Sequence, residues 1–215
     1  MRVFLLISAL LQYPQPELQA ARAELYQALD ELPAGQRASL KPLLDHLMSL
    51  PLLALQANYV ATFDRQRSLS LHLFEHVYGE SRDRGGAMVS LMETYTGHGL
   101  AIQADELPDY LPLFLECLGQ INPEAGLAML GEAVHVIELL AGRLREQQSP
   151  YAAAMSTLVS LSPVAPLPVT EPPVRDMDEV MERFGPSLDG QEPLLTPAMS
   201  VEPVRFYPRA ARQGA

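Results

Sequence analysis

An all-α fold, a compact multi-helix bundle followed by a proline-rich and largely irregular C-terminal tail, follows from three features of the sequence. Apolar residues recur every three or four positions through most of residues 1–161, the spacing that lines one face of a helix. No stretch alternates apolar and polar residues with the period of two that a half-buried strand requires. Apolar types make up 48% of the 215 residues, yet aromatics reach only 7% and tryptophan is absent, so Leu, Ala, Met and Val must build the core. That mixture is rich in good helix formers.

Taken in order, helices are expected at residues 2–12, 16–32, 37–49, 51–63, 71–77, 83–96, 108–120, 123–147 and 151–161. The first carries the apolar run 3–11. Pro16, Pro51, Pro108 and Pro123 each stand at or near a helix start, where the missing amide hydrogen costs nothing. Gly97-His98-Gly99 supplies a helix stop, and Gly85-Gly86 a helix-start irregularity. The connections are short, so neighbouring helices should pack mostly antiparallel. Beyond Leu161 the pattern gives way to Ser162-Pro163-Val164-Ala165-Pro166-Leu167-Pro168 and then Pro172-Pro173, which is linker composition. This divides the chain into a helical domain, 1–161, and a flexible tail, 162–215. Within the tail, residues 176–184 place Met177, Val180, Met181 and Phe184 on one face of a short amphipathic segment.

Composition excludes several classes of function. Cys117 is the sole cysteine, which rules out an intramolecular disulfide framework and a cysteine-rich metal centre within one chain. A formal net charge of -11 argues against general nucleic-acid binding, which needs clustered Lys and Arg, and favours basic partners. The run 3–11 passes into Gln12-Tyr13-Pro14 without a small-residue cleavage site, so it reads as a helix and not a secretory signal. No run approaches the roughly 18–20 uninterrupted apolar residues of a membrane span. The expectation is a cytoplasmic protein with no stable membrane insertion.

The sharpest catalytic pattern is H-x-x-E-H at His72, Glu75 and His76, the spacing of inverted zinc peptidases. A catalytic zinc needs a third protein ligand, and none is recognisable, so the pattern reads as a partly buried helix whose polar side chains make hydrogen bonds. Phosphate-loop, dinucleotide and nucleophile-elbow motifs are absent. Cys117 lies in an apolar helix and reads as an inert core thiol. No catalytic residue, metal or cofactor is therefore assigned. Polar residues gather in 74–85, around a turn between two helices. Alone, Glu80, Arg82, Asp83 and Arg84 read as solvated ion pairs and caps, worth at most about 1 kcal/mol each.

Tyr59-Val60-Ala61-Thr62-Phe63-Asp64-Arg65, followed by Ser68-Leu69-Ser70-Leu71-His72-Leu73-Phe74-Glu75-His76-Val77-Tyr78-Gly79-Glu80-Ser81-Arg82-Asp83-Arg84-Gly85, resembles the signature block of the NarJ-type nitrate reductase assembly chaperones. Glu106-Leu107-Pro108-Asp109-Tyr110-Leu111-Pro112-Leu113-Phe114-Leu115-Glu116 resembles the second motif of that family, at the expected distance downstream. The resemblance runs from Leu11-Gln12-Tyr13-Pro14 to about Leu161, and His72 departs from it where an apolar residue is usual. It implies a helical chaperone, absent from the mature enzyme, that binds the N-terminal segment of the nitrate reductase catalytic (alpha) subunit. Binding would persist while molybdenum cofactor and iron–sulfur cluster are inserted, and would delay membrane docking. The client-binding residues it implies are Tyr59, Phe63, Phe74, Glu75, His76, Gly79, Glu80, Arg82, Asp83, Asp109, Tyr110 and Pro112. The alternatives are a chaperone for another molybdoenzyme, such as a trimethylamine oxide or dimethyl sulfoxide reductase, an unrelated helical adaptor, and a zinc hydrolase. The glutamate–histidine–x–x–glycine–glutamate form at Glu75 to Glu80 favours the nitrate reductase branch.

Overall fold

The structure is a computed structural model, and it describes residues 1–79, 81–102 and 106–167. Glu80 and the segment 176–184 lie outside the described residues. Ten α-helices occur among the described residues: α1 (Arg2–Leu11), α2 (Pro16–Ala20), α3 (Arg22–Asp30), α4 (Ala34–Ser49), α5 (Leu52–Tyr59), α6 (Leu73–Tyr78), α7 (Asp83–Gly97), α8 (Leu111–Gln120), α9 (Pro123–Glu146) and α10 (Ala152–Leu161). A π-helical turn, Val60–Asp64, extends α5, and a 3-10 turn, Arg67–Leu69, precedes α6.

The core gathers around α1, which buries Val3, Phe4, Leu6, Ile7, Leu10 and Leu11. Each such side chain contributes about 1.5–3 kcal/mol when fully buried. Helix α1 packs against α3 and, across more than 100 residues of sequence, against α8. Ser8 Oγ donates to the Pro112 carbonyl at 2.7 Å near the start of α8. Leu5 lies against Gly119 near its end, where a Cβ would stand 2.5 Å from Leu5 Cδ2. The two helices therefore run antiparallel, and only glycine at 119 admits Leu5 so closely. Helices α8, α9 and α10 pack in succession, and α10 also meets α4, where the Ser39 and Thr157 hydroxyls hydrogen-bond at 2.9 Å. Asn122 caps α9, its Oδ1 accepting from the Glu124 amide at 2.9 Å. Helix α9 is long and apolar enough to cross a membrane by composition, yet Leu130, Val134, Ile137, Leu140, Ala141 and Leu144 are buried within the bundle.

Several elements depart from the sequence-derived boundaries, most of them for tertiary reasons. The expected helix 16–32 breaks at Ala21, where ψ is 12°. Helix α2 stays on the surface with Gln19 Nε2 donating to Leu50 O at 2.9 Å, while α3 directs Leu25 and Leu29 inward. Helix α4 starts at Ala34, three residues early, because Pro33 serves as its N-cap. The expected helix 51–63 widens after Tyr59, the Arg65 amide bonding to Val60 O at 3.0 Å, five residues back. Helix 108–120 begins only at Leu111, with Pro112 in its first turn, because 109–111 pairs with 71–73 instead. Leu73 N–H donates to Asp109 O at 3.1 Å and Leu111 N–H to Leu71 O at 2.8 Å, flanking an antiparallel bridge between His72 and Tyr110.

After α10 the chain does not leave the bundle at once. Ser162 Oγ donates to Val164 O (2.9 Å) and accepts from Val164 N–H (3.1 Å), which turns the chain onto α9. Val164 Cγ2 would lie 3.0 Å from a Cβ at Gly131, and one turn further along α9 the Leu167 amide donates to His135 Nδ1 at 2.9 Å. The stretch 162–167, read from the sequence as the start of a flexible tail, is a strap on α9 in the structure. Buried Gly131 supplies the shallow seat that a larger side chain would fill.

Candidate functional site

The bridge between 71–73 and 109–111 joins the two sequence blocks that carry the resemblance, and Asp109 lies at the junction. Its side chain is fully buried. Oδ2 accepts the Phe74 amide at 3.0 Å and Oδ1 accepts His72 Nδ1–H at 3.2 Å. Helix α6 has no capping side chain of its own at His72, so Asp109 caps it from a distant part of the chain. The hydrogen bond to Asp109 raises the His72 pKa, against the opposing effect of burial. Arg84, half-buried on α7, bonds to Glu75 Oε1 at 3.2 Å and approaches Asp109 Oδ2 at 3.9 Å. One carboxylate thus ties together α6, α7 and the approach to α8.

His76 is buried and donates Nε2–H to the Ser70 carbonyl at 2.8 Å, closing the turn that leads into α6. Gly79 ends α6 at φ 53°, ψ -121°, a conformation that penalises any side chain, and so redirects the chain toward α7. The H-x-x-E-H residues do not converge. His72 precedes α6 in extended conformation and faces Asp109, Glu75 pairs with Arg84, and His76 faces Ser70. Among the described residues no three His, Cys, Asp or Glu side chains gather as a metal-ligand set.

A second group is aromatic. Tyr59 stacks on Phe63 (centroids 4.9 Å apart), Phe63 on Tyr151 (4.8 Å) and Tyr13 edge-on against Tyr59 (5.4 Å). The widened π-turn keeps Tyr59 and Phe63 together on the inner side. Tyr59 Oη donates to Leu11 O and meets Tyr110 Oη, both at 3.0 Å, and the Tyr110 ring lies 5.4 Å from the His72 ring. Burial pushes the Tyr59 and Tyr95 hydroxyl pKa values up, and takes Tyr151 to about 12 and the Cys117 thiol to about 11. Cys117 is therefore a thiol and not a nucleophile at neutral pH.

Burial sorts the residues named from the sequence by what each is free to touch. Tyr59, Phe63, His76, Asp109 and Pro112 are buried, and their partners lie within the fold. Phe74, Glu75, Gly79 and Tyr110 are half-buried, while Arg82 and Asp83 are exposed. Three exposed apolar side chains on α6 and α7 were not singled out by sequence reasoning: Val77 is 45% exposed, Val89 57% and Met92 51%. Helix α7 buries Tyr95, whose hydroxyl donates to Pro108 O at 2.7 Å, and among the described residues no element covers most of its remaining surface. His72 and Arg84, named from the sequence as part of the H-x-x-E-H pattern and as an ion-pair residue, were not among the expected client-binding residues. The spacing of Arg84 from Glu75 across a glycine turn was the available signal, but their joint contact with Asp109 depends on the bridge.

The model of the nitrate reductase delta subunit family matches residues 29–157. The chain is 36% identical over 206 residues to the nitrate reductase molybdenum cofactor assembly chaperone NarJ of Escherichia coli K12, covering 94% of this chain and 84% of that protein. It is 38% identical over 165 residues to the probable assembly chaperone NarW of the same strain, covering 75% and 68% of the two chains. The probable chaperone NarJ of Bacillus subtilis 168 is 31% identical over 158 residues, 73% of this chain and 86% of that one.

Proposed function

This chain belongs to the nitrate reductase delta subunit family, and we propose that it is a chaperone that binds the N-terminal segment of the nitrate reductase catalytic subunit. Bound there, it promotes insertion of molybdenum cofactor and iron–sulfur cluster before the enzyme docks on the membrane. It works in the cytoplasm, contributes no catalytic residue, and is absent from the mature enzyme.

The observation that carries this reading is the exposure of apolar side chains on α6 and α7 among the described residues. Val89 and Met92 stand three residues apart on one exposed stripe of α7, and Val77 on α6 adds to the apolar surface. Such a stripe suits the apolar side of an amphipathic helix. Exposed Asp83 and Glu93 flank it, and the net charge of -11 favours a basic client. The buried Asp109 network beneath fixes the two helices without occupying their outer face.

The test is retention of the immature catalytic subunit by the tagged full-length chain in anaerobically grown cells. Val89→Glu combined with Met92→Glu should reduce retention at least about tenfold. The melting temperature should stay unchanged, because both side chains are exposed. Equal retention by the double variant contradicts the reading.

A further inference from the structure

The end of α7 and the side of α8 that faces it enclose a pocket of about 380 Å³. Tyr95, Leu100 and Ile102 form one wall. Helix α8 forms the other with Leu113, Glu116, Cys117 and Gln120, whose spacing of three and four residues puts them on one helical face. Hydrogen bonds of the fold hold both walls. Gly99, at φ 78°, turns the chain back after α7, and the Leu100 amide donates to Tyr95 O at 3.0 Å. The Tyr95 hydroxyl is tied in turn to Pro108 O at 2.7 Å. Tyr95 and Cys117 are buried, whereas Ala101, Glu116 and Gln120 are exposed, so the lining is apolar in its depth and polar at its mouth. At that mouth Gln120 Nε2 donates to Glu116 Oε1 at 3.3 Å.

We propose that this pocket anchors one aliphatic side chain of the client segment, a leucine, isoleucine or methionine, with a neighbouring lysine or arginine turned toward Glu116. Its volume lies at the low end of the roughly 300–1,000 Å³ typical of ligand sites, which suits a side chain of a docked helix better than a whole cofactor. An apolar base under a single carboxylate is complementary to an aliphatic residue beside a cation. Tyr95 follows Met92 by three residues and Val89 by six, about 4.5 and 9 Å along the axis of α7. A client helix seated on those two exposed side chains spans that distance in about two turns. A second copy of this chain is a poorer occupant, because both copies carry a charge of -11. The inference rests on the client reading above and adds to it where the apolar anchor is held and which carboxylate meets the adjacent charge.

Cys117, the chain's sole cysteine, reports occupancy without any substitution. Burial takes its thiol to about 11, so alkylation of the full-length chain by iodoacetamide is followed at about pH 9, where more thiolate forms. A synthetic peptide of the N-terminal segment of the catalytic subunit, its affinity first measured by isothermal titration, should slow alkylation about tenfold when present at about nine times its dissociation constant. Peptides with each aliphatic residue replaced in turn by alanine, at matched occupancy, should all protect except one, which lacks the anchor. Ala101→Trp, which sets an indole at the mouth, should weaken the parent peptide roughly tenfold and leave the affinity of that one alanine peptide unchanged. A thiol unprotected under bound parent peptide, protection by every alanine peptide alike, or a free chain whose thiol does not react overturns the pocket while client binding itself stands. If the unmodified chain binds no peptide, the client reading falls and takes the pocket with it. The alkylation arm uses the unmodified chain, so it holds whether or not Ala101→Trp folds.

Discussion

Replacing Asp109 by alanine removes the acceptor of the Phe74 amide and the anionic partner of His72 and Arg84 in one step. Loss of a helix cap and a buried charge-assisted hydrogen bond should cost about 2–4 kcal/mol, read as a lower urea midpoint at unchanged slope. The His72–Asp109 pair also has a signed pH dependence. The folded pKa of His72 is raised, so the pair's contribution is fully present below the unfolded value of about 6.5 and is lost as pH rises through the folded value. The melting temperature of the parent protein should therefore fall across that window relative to His72→Gln, and parallel pH profiles would contradict the assignment. In the sequence, Asp109 was recognisable only through resemblance. Its 35-residue separation from Phe74 hides the contact, and no local pattern says that a turn carboxylate will cap a distant helix. His72, set aside as a departure from the family pattern, faces that carboxylate.

At the scale of elements, the strap at 162–167 yields the clearest consequence. It covers Gly131, and His135 accepts its last amide, so a chain ended after Leu161 should lose about 1 kcal/mol relative to one ended after Leu167. Equal unfolding midpoints for the two truncations would show that the strap contributes nothing. A composition boundary at 161 was legible because Pro163 and Pro166 end helical spacing, yet proline content alone does not say whether an extended segment is docked. The same division holds elsewhere. Pro123 announced α9 correctly, since proline at a helix start acts locally. The break at Ala21, the π-turn after Tyr59 and the bridge at Tyr110 were illegible, because packing against other elements decides each of them.

For the whole molecule, helical spacing predicted the fold class, while the pairing of α1 with α8 needed the structure, since short connections speak only of neighbours in sequence. That pairing matters to the site, because Ser8 holds Pro112 and so fixes the start of α8 directly after the Asp109 bridge. Among the described residues the packed bundle thus leaves Val77 on α6 and Val89 and Met92 on α7 exposed, with a chain charge of -11 to favour a basic segment. The proposed function requires that this chain recognise the N-terminal segment of the nitrate reductase catalytic subunit. Isothermal titration of the full-length chain with that peptide, at low and at physiological ionic strength, measures it directly. A dissociation constant on the order of micromolar or tighter is predicted, weakening with salt as screening shortens to about 8 Å. No heat of binding at peptide concentrations up to about a millimolar, with the fold intact, would contradict the account.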